Sequence, residues 1–477
     1  MTSLAARRRT RAGDVSLSRL APILIPAGLL LGLAYLSYDG IGMRPLMLLA
    51  VAGVALVMLK RPEYGPVLLV LSGSAIPMAF GTGSEVALNT ATLLVPALGV
   101  LWLAHGLLRR RLAWNASPAD RPWLLFLAAG LLSLGIGRAT WDPAVPVKST
   151  FIIVQLAQWA IFAFAALAYW LPGMLLRGPR DLRRMTGALL WVGGGLAILR
   201  LIPGVAALAG RFTTIVYIRA PFLVLITALA GGQLLFNPNL SALRRLYLLA
   251  LLGIMIYEST FQGRLSISDW AGVWVVLAVL VWERFPRLRW LALTALLVLL
   301  AVGILFPSLY TFAGGDLRWT ESGASRVLLI GRVVGVTASN PLTGLGPAAY
   351  RAYAALDPLP YRTALWFHPQ ISSHNNYVDV YAQFGLLGLG LFLWLALMLW
   401  RHVAATARAQ KHSDAFEQGY ARGMLAAWIG SLVIMVLADW MLPFVYNIGY
   451  EGFQAGILVW LFLGGLTVLQ RSPGEPA

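Results

Sequence analysis

The stretch SSHNNYVDVYAQF, residues 372–384, sets His374, Asn375, Asn376, Tyr377 and Asp379 at the head of a long apolar run. Imidazole changes charge near neutral pH, so His374 suits proton transfer to or from a reacting hydroxyl. Ser372, Ser373 and Tyr377 read better as a helix cap and an interfacial ring than as groups that do chemistry. Asp379 lies further into the run, where an ionisable side chain marks either function or an interhelical hydrogen bond. A second cluster, ESTFQGRLSISDW at 258–270, places Arg264 between Glu258 and Asp269. Its planar guanidinium matches two phosphate oxygens at once, or else snorkels and pairs with one of the acids. A third set is Arg326 and Arg332. Six positions apart on a helix, they point about 120° from each other, so they do not grip one anion together. Arg326, beside Ser325, is the better ligand. Arg211 and Arg219, in GRFTTIVYIRAPF, either add to this positive charge or anchor the end of the next helix. Together these groups suit an anionic, diphosphate-bearing substrate reached from the outer leaflet. P-loop, GxSxG, HExxH and EF-hand patterns are absent from the sequence, which removes the motif support for nucleotide, serine-hydrolase or metal chemistry.

The elements that must position these residues are membrane helices. The chain is 59% hydrophobic and only 12% charged, and its mean hydropathy is +0.75, far from a soluble domain. Apolar runs of about 17–25 residues recur from Leu20 almost to the C-terminus, long enough to cross the hydrocarbon as helices and too long for barrel strands. An all-α polytopic membrane protein of about 12–14 spans is expected. The map runs from a tail at 1–19 through eleven spans over 20–306, a long loop at 307–373 and three spans over 374–470, to a tail at 471–477. Its spans are 20–38, 45–60, 64–81, 90–108, 122–138, 149–171, 185–203, 218–236, 243–261, 268–283, 288–306, 375–400, 420–441 and 448–469. The stretch after ARRRTR reads as a retained first span, because no small-residue cleavage site followed by a soluble domain appears.

Charge orients the map. Basic clusters such as RRRLAW, RGPRDLRR, ERFPRLR and RHVAATARAQKH fall in alternate connections, on the side assigned as cytoplasmic together with both termini. The intervening connections, YDGIG, GTGSE, TWDPAVP, ESTFQG and YNIGYE, are short and mostly uncharged or acidic. Much of the +18 net charge is therefore an orientation signal, and nucleic-acid binding is not needed to explain it. The 307–373 loop is the exception. It carries Arg318, Arg326, Arg332, Arg351 and Arg362 against Asp316, Glu321 and Asp357, and is long enough to escape the charge rule. Within it, a Val/Leu/Ile-rich helix stopped by Asn340-Pro341 is expected to pack on the bundle or lie at the interface. With no cysteine in the chain, disulfides and thiolate metal sites are excluded.

His374 and Asn375 followed by Gly385 and Gly388 form an HNx9GxxG pattern at the start of a late span. This resembles the signature of the bacterial O-antigen ligase and polymerase superfamily. The resemblance covers roughly residues 205–400. It includes STFQGRLS, similar to the family's T-x-S-R-G turn but with Gln262-Gly263 ahead of Arg264, and NPLTGLGPAAY, close to NPLxGxGxGxF. It implies a glycosyltransferase-C-like, metal-independent transferase without a cofactor, working among membrane lipids at the periplasmic face of the bacterial inner membrane. The donor would be a glycan on undecaprenyl diphosphate. The acceptor would be the lipid A core for a ligase, or another lipid-linked glycan for an O-antigen or exopolysaccharide polymerase. Carried over, His374 would be the catalytic base or acceptor-orienting group, and Arg264 and Arg326 would stabilise the departing diphosphate. Arg219, Arg211, Asn375 and Tyr377 complete the expected substrate-binding set. From another class, a lipid-linked oligosaccharide flippase or transporter could use Asp379 and His374 as a proton relay. Transporters, however, are commonly built from repeats around a midplane site, and no repeat is visible here.

Overall fold

The computed structural model describes residues 60–81, 87–110, 114–213, 215–318, 324–356 and 372–470, together with Met58 and Leu112. The tails at 1–19 and 471–477 lie outside these residues, as does the expected span 20–38. So do the span 45–60 apart from Met58 and Lys60, and Glu321, Asp357 and Arg362 of the long loop.

The protein is all-α and polytopic. Its helices in chain order are α1 (Gly65–Ala75), α2 (Thr90–Arg109), α3 (Asp120–Ala139), α4 (Phe151–Leu175), α5 (Pro179–Ala188), α6 (Gly194–Leu199) and α7 (Ala206–Gly210). Then come α8 (Ala220–Phe236), α9 (Ala242–Tyr257), α10 (Ile267–Arg284), α11 (Leu288–Ala301), α12 (Leu305–Phe312), α13 (Gly315–Arg318) and α14 (Ala324–Thr337). The series ends with α15 (Tyr350–Ala354), α16 (Asn376–Ala409), α17 (Ala415–Leu437) and α18 (Gly449–Gly464). A short hairpin, β1 (Ala79–Gly81) against β2 (Ala87–Asn89), precedes α2.

Among the described residues, six helices are long and apolar enough to cross a bilayer, or seven if α11 and α12, bent by 85°, form one span. Each expected span from residue 64 onward overlaps a helix, but several are shorter or interrupted. The 185–203 span starts early, at Pro179, and passes through a π-helical turn at Leu189–Gly193, and the 243–261 span ends in another at Glu258–Gln262. The 288–306 span breaks at Gly303, whose φ is +73°. One boundary has consequences for function: the expected 420–441 span stops at Leu437, because Ala438 is extended and Pro443 follows in the non-helical segment 438–448.

The core is the contact of α8, α10 and α17 on one side and of α4 with α18 on the other, with α16 lying between α3 and α17. Small residues allow the closest approach. A Cβ on Gly232 of α8 would stand 2.3 Å from the Gly419 carbonyl of α17 and 3.0 Å from Gly423 Cα, so these backbones meet through a small-xxx-small surface. Buried Trp123, Trp428 and Trp460 fill the wider gaps.

Candidate active site around His374

Segment 438–448 joins α17 to α18 and is clamped by side chains from three helices. Gln158 of α4 donates to the Pro443 carbonyl at 3.2 Å and accepts from Val445 N at 2.7 Å. Asn376 of α16 donates to the Leu442 carbonyl at 2.7 Å and accepts from Met441 N at 3.3 Å. Trp460 of α18 donates its indole N–H to the Met441 carbonyl at 3.2 Å. A loop with this many buried polar partners is a fixed platform, since each of its backbone groups would otherwise carry a desolvation cost.

The first turn of α16 is locked onto the same platform. Asn375 caps the helix, accepting from Tyr377 N at 3.0 Å and Val378 N at 3.2 Å, while its amide donates to the Val436 carbonyl at 2.9 Å. Ser373 donates to Asp379 Oδ1 at 2.8 Å, which anchors the approach to the helix. Between these two fixed neighbours His374 has φ +53°, a left-handed conformation that costs a side-chain-bearing residue about 1–2 kcal/mol. Strain of this kind collects where surrounding structure over-determines a functional geometry.

The His374 ring faces an acid. Its Nδ1 lies 3.4 Å from Asp439 Oδ1, and the Asp439 side chain is fully buried while that of His374 is 12% exposed. Asn447 donates to both Asp439 oxygens at 3.1 Å and lies 3.3 Å from His374 Nδ1. Phe444 N and the Ser372 hydroxyl donate to Asp439 Oδ2 at 3.2 Å and 3.3 Å. Burial pushes the Asp439 carboxyl up, but the hydrogen bond and charge of His374, the Phe444 N–H and the Asn447 amide outweigh it and hold the group below the ordinary carboxylate value. An ionised Asp439 favours the tautomer with the proton on Nδ1, which puts the basic lone pair on Nε2.

The expected arginines divide into two groups. Arg326 of α14 donates through Nη1 to the Leu437 carbonyl at 2.6 Å, one residue from the Val436 carbonyl that holds Asn375. Arg219, which precedes α8, lies over the Trp440 ring at 4.5 Å, next to Asp439, and its buried Nε has no hydrogen-bond partner among the described residues. These two guanidinium groups and His374 therefore each contact a residue of the stretch 437–440 at the end of α17. By contrast, Arg264 is exposed in the turn before α10. Only the neighbourhood of that turn reaches the platform, where Ser268 accepts from the Trp440 indole at 3.1 Å. Arg211 is half-buried at the end of α7, in the connection that leads to Arg219. Tyr377 points into the bundle, donating to the Leu432 carbonyl at 3.2 Å and packing edge-on to Phe392. Both polar ends of the Asn375 side chain are occupied by the cap and the clamp just described.

Several residues that the sequence did not single out join the cluster. Asp439 holds the imidazole and Asn447 holds Asp439, while Arg351, one of the loop arginines, lies on α15 over the Tyr446 ring at 4.2 Å. The available signal was an acid between two apolar runs, ADWMLPF, with a proline that denies the segment a helix.

The glycines of the histidine motif shape the helix that carries it. Gly385 has φ +66° and ψ −164°, breaking α16 after its first turns. Segment 341–346 fills the break: Leu345 N and Gly346 N donate to the Ala382 and Gln383 carbonyls at 2.9 and 3.1 Å, and Leu386 N and Leu387 N donate to the Pro341 and Leu342 carbonyls at 2.9 and 3.1 Å. A Cβ on Gly385 would stand 2.3 Å from the Leu342 oxygen, and one on Gly344 2.5 Å from the Gln383 carbonyl. The NPLTGLGP and HNx9G stretches are thus two halves of one backbone junction. It fixes the first turns of α16 independently of the long helix below.

Fold and site together define a polytopic membrane protein with a His–Asp pair whose acid is buried, and with Arg326 and Arg219 in contact with the neighbouring Leu437 and Trp440. Residues 246–393 match the family model described as O-antigen ligase. That segment contains Arg264, Arg326, His374, Gly385 and Gly388, and carries the chain's resemblance to the O-antigen ligase and polymerase superfamily. Arg211, Arg219, Asp439 and Asn447 lie outside it. A search of curated proteins returned no match to the chain.

Proposed function

We propose that the protein is an O-antigen ligase-type glycosyltransferase of the inner membrane, working at its periplasmic face. It transfers a glycan from undecaprenyl diphosphate to an acceptor hydroxyl, with the lipid A core as the acceptor. The observation that carries this reading is the His374 ring held by buried Asp439 at the helix end where Arg326 and Arg219 also arrive.

His374 Nε2 takes the proton of the acceptor hydroxyl as the oxygen bonds to the anomeric carbon. The bond from that carbon to the diphosphate oxygen breaks, and its electron pair stays on the diphosphate. Arg326 and Arg219 stabilise the growing charge, and Arg264 closes on the same group from its exposed turn. The imidazolium that forms is stabilised by Asp439 and passes its proton to the departing diphosphate or to water. The positive charge the step needs comes from guanidinium groups, so no resident metal is required. The polyprenyl chain stays in the hydrocarbon while its head group reaches the platform, which accounts for a site at a helix end and not at the midplane. The 307–373 loop reaches this end through α14, which supplies Arg326.

The test is transfer by purified protein in detergent, offered undecaprenyl diphosphate-linked glycan with and without lipid A core. Core-dependent transfer that survives EDTA and is lost in His374→Ala supports the reading. A ladder of products from donor alone would replace it with a polymerase, and no transfer from either would redirect attention to transport.

A further inference from the structure

A cavity of about 330 Å³ lies at the opposite end of the bundle from His374. One wall is the start of α17, Asp414 to Phe416, and the 23 residues of that helix put it about 33 Å from the Arg326 contact at Leu437. The other walls come from α5, the end of α8 and the first turns of α9.

Its lining combines fixed positive charge with an apolar margin. Arg183 is set in place by Asp414, 2.7 Å away, and by the face of Phe416, 4.9 Å from the guanidinium carbon, leaving the rest of the fork toward the cavity. Arg244 is exposed, has no acidic partner among the described residues, and stands in the first turn of α9, where helix N–H groups and the helix dipole also favour an anion. Deeper groups satisfy each other. Asn237 donates to Gln233 at 2.8 Å, Gln233 to the Phe416 carbonyl at 3.0 Å and Tyr247 to the Leu190 carbonyl. The polar floor is therefore rigid, and the two arginines are the groups with capacity to spare. At the mouth, Trp191 stacks on Tyr247 with centroids 4.2 Å apart and is 52% exposed, and Leu190, Leu240 and Leu248 add apolar lining. A half-exposed aromatic pair above apolar side chains is the surface a membrane helix turns to acyl chains.

From this combination we infer that the cavity is a binding site for the phosphate ester head group of an anionic glycerophospholipid, held by Arg183 and Arg244 with its chains running out past the Trp191–Tyr247 pair. The ligand class is the phosphate ester, and the apolar mouth assigns it to a lipid and not to free phosphate. The site is separate from the proposed transfer chemistry, so its test does not depend on that reading.

The full-length protein, purified in detergent, would be titrated with phosphatidylglycerol, with diacylglycerol of the same chains, or with inorganic phosphate, and bound ligand counted by native mass spectrometry. The expected result is saturable retention of one phosphatidylglycerol, and little retention of diacylglycerol or phosphate. Arg244→Gln, an exposed change that leaves the Arg183–Asp414 pair intact, should weaken it several-fold. Arg183→Gln with Arg244→Gln should weaken it by about tenfold or more, the scale of a lost charge-assisted contact. Undiminished phosphatidylglycerol binding in the double variant, or equal retention of diacylglycerol, would overturn the site. Retention of inorganic phosphate without lipid would overturn the lipid source.

Discussion

Residues 372–379 and 258–270 look alike in sequence, each a polar cluster at the lip of an apolar helix, yet the fold treats them differently. The first is packed against segment 438–448: Ser372, His374 and Asn376 bond to that loop, Asn375 to the end of α17, and Ser373 to Asp379 of α16. The second leaves Arg264 exposed at the tip of its turn, while Ser259, Thr260, Ser268 and Asp269 on either side of it are buried. What separates them is the partner folded onto each. Under the proposed function the His374 cluster is assembled before substrate arrives, whereas Arg264 would have to be drawn in by the substrate, which would make it the weaker contributor.

The largest expected effect is on the assembled side. His374→Ala should lower the transfer rate by about 10²–10⁴-fold, the worth of a positioned general base, with the protein still folded by circular dichroism and gel filtration. Arg326→Ala should cost about 10²–10³-fold in kcat, as expected for loss of a fixed charge facing the leaving group. Arg264→Ala should cost less, about 10–100-fold, seen mainly as a raised KM for the lipid-linked donor. If Arg264→Ala equals or exceeds Arg326→Ala, the contrast between an assembled and a recruited cluster breaks. Tyr377→Phe removes one hydrogen bond to the Leu432 carbonyl inside the bundle, so transfer should change by less than about threefold while the melting temperature falls slightly.

Acid sharpens the same contrast. Asp439 titrates lower in the folded protein than in the unfolded chain, so its contribution to stability is complete above the unfolded carboxyl value of about 4 and is lost as the pH falls through the lower folded value. Thermal melts in detergent from pH 7 down to pH 3 should show a fall in midpoint below about pH 4 that Asp439→Asn reduces. An unchanged acid profile in that variant would mean that the carboxylate does not hold the site together.

The membrane class, the positions of most helices and the His374 motif were legible because hydropathy and motif spacing are local properties. The platform was not. Asp439 sits 65 residues beyond His374, and the hydropathy of 420–441 ran the expected span straight through it, although Pro443 and the extended Ala438 end the helix at Leu437. Asn447 was visible only as part of a short polar connection. Its role follows from where Gln158, Asn376 and Trp460 pin the loop, and no local pattern encodes those three long-range contacts. Gly385 shows the reverse case. Its place in the motif was clear, but its physical reason, a broken helix filled by 341–346, needed both halves of the junction in space.

The central claim is that Asp439 acts through His374 in glycan transfer. The measurement that tests it most directly is a double-mutant cycle on the rate of transfer from undecaprenyl diphosphate-linked glycan, using His374→Ala, Asp439→Asn and the pair together. The expected result is a substantial loss for Asp439→Asn alone and almost no further loss once His374 is already gone, because the acid has nothing left to orient. Full additivity of the two losses, or a His374→Ala protein that transfers at the wild-type rate, would contradict the account.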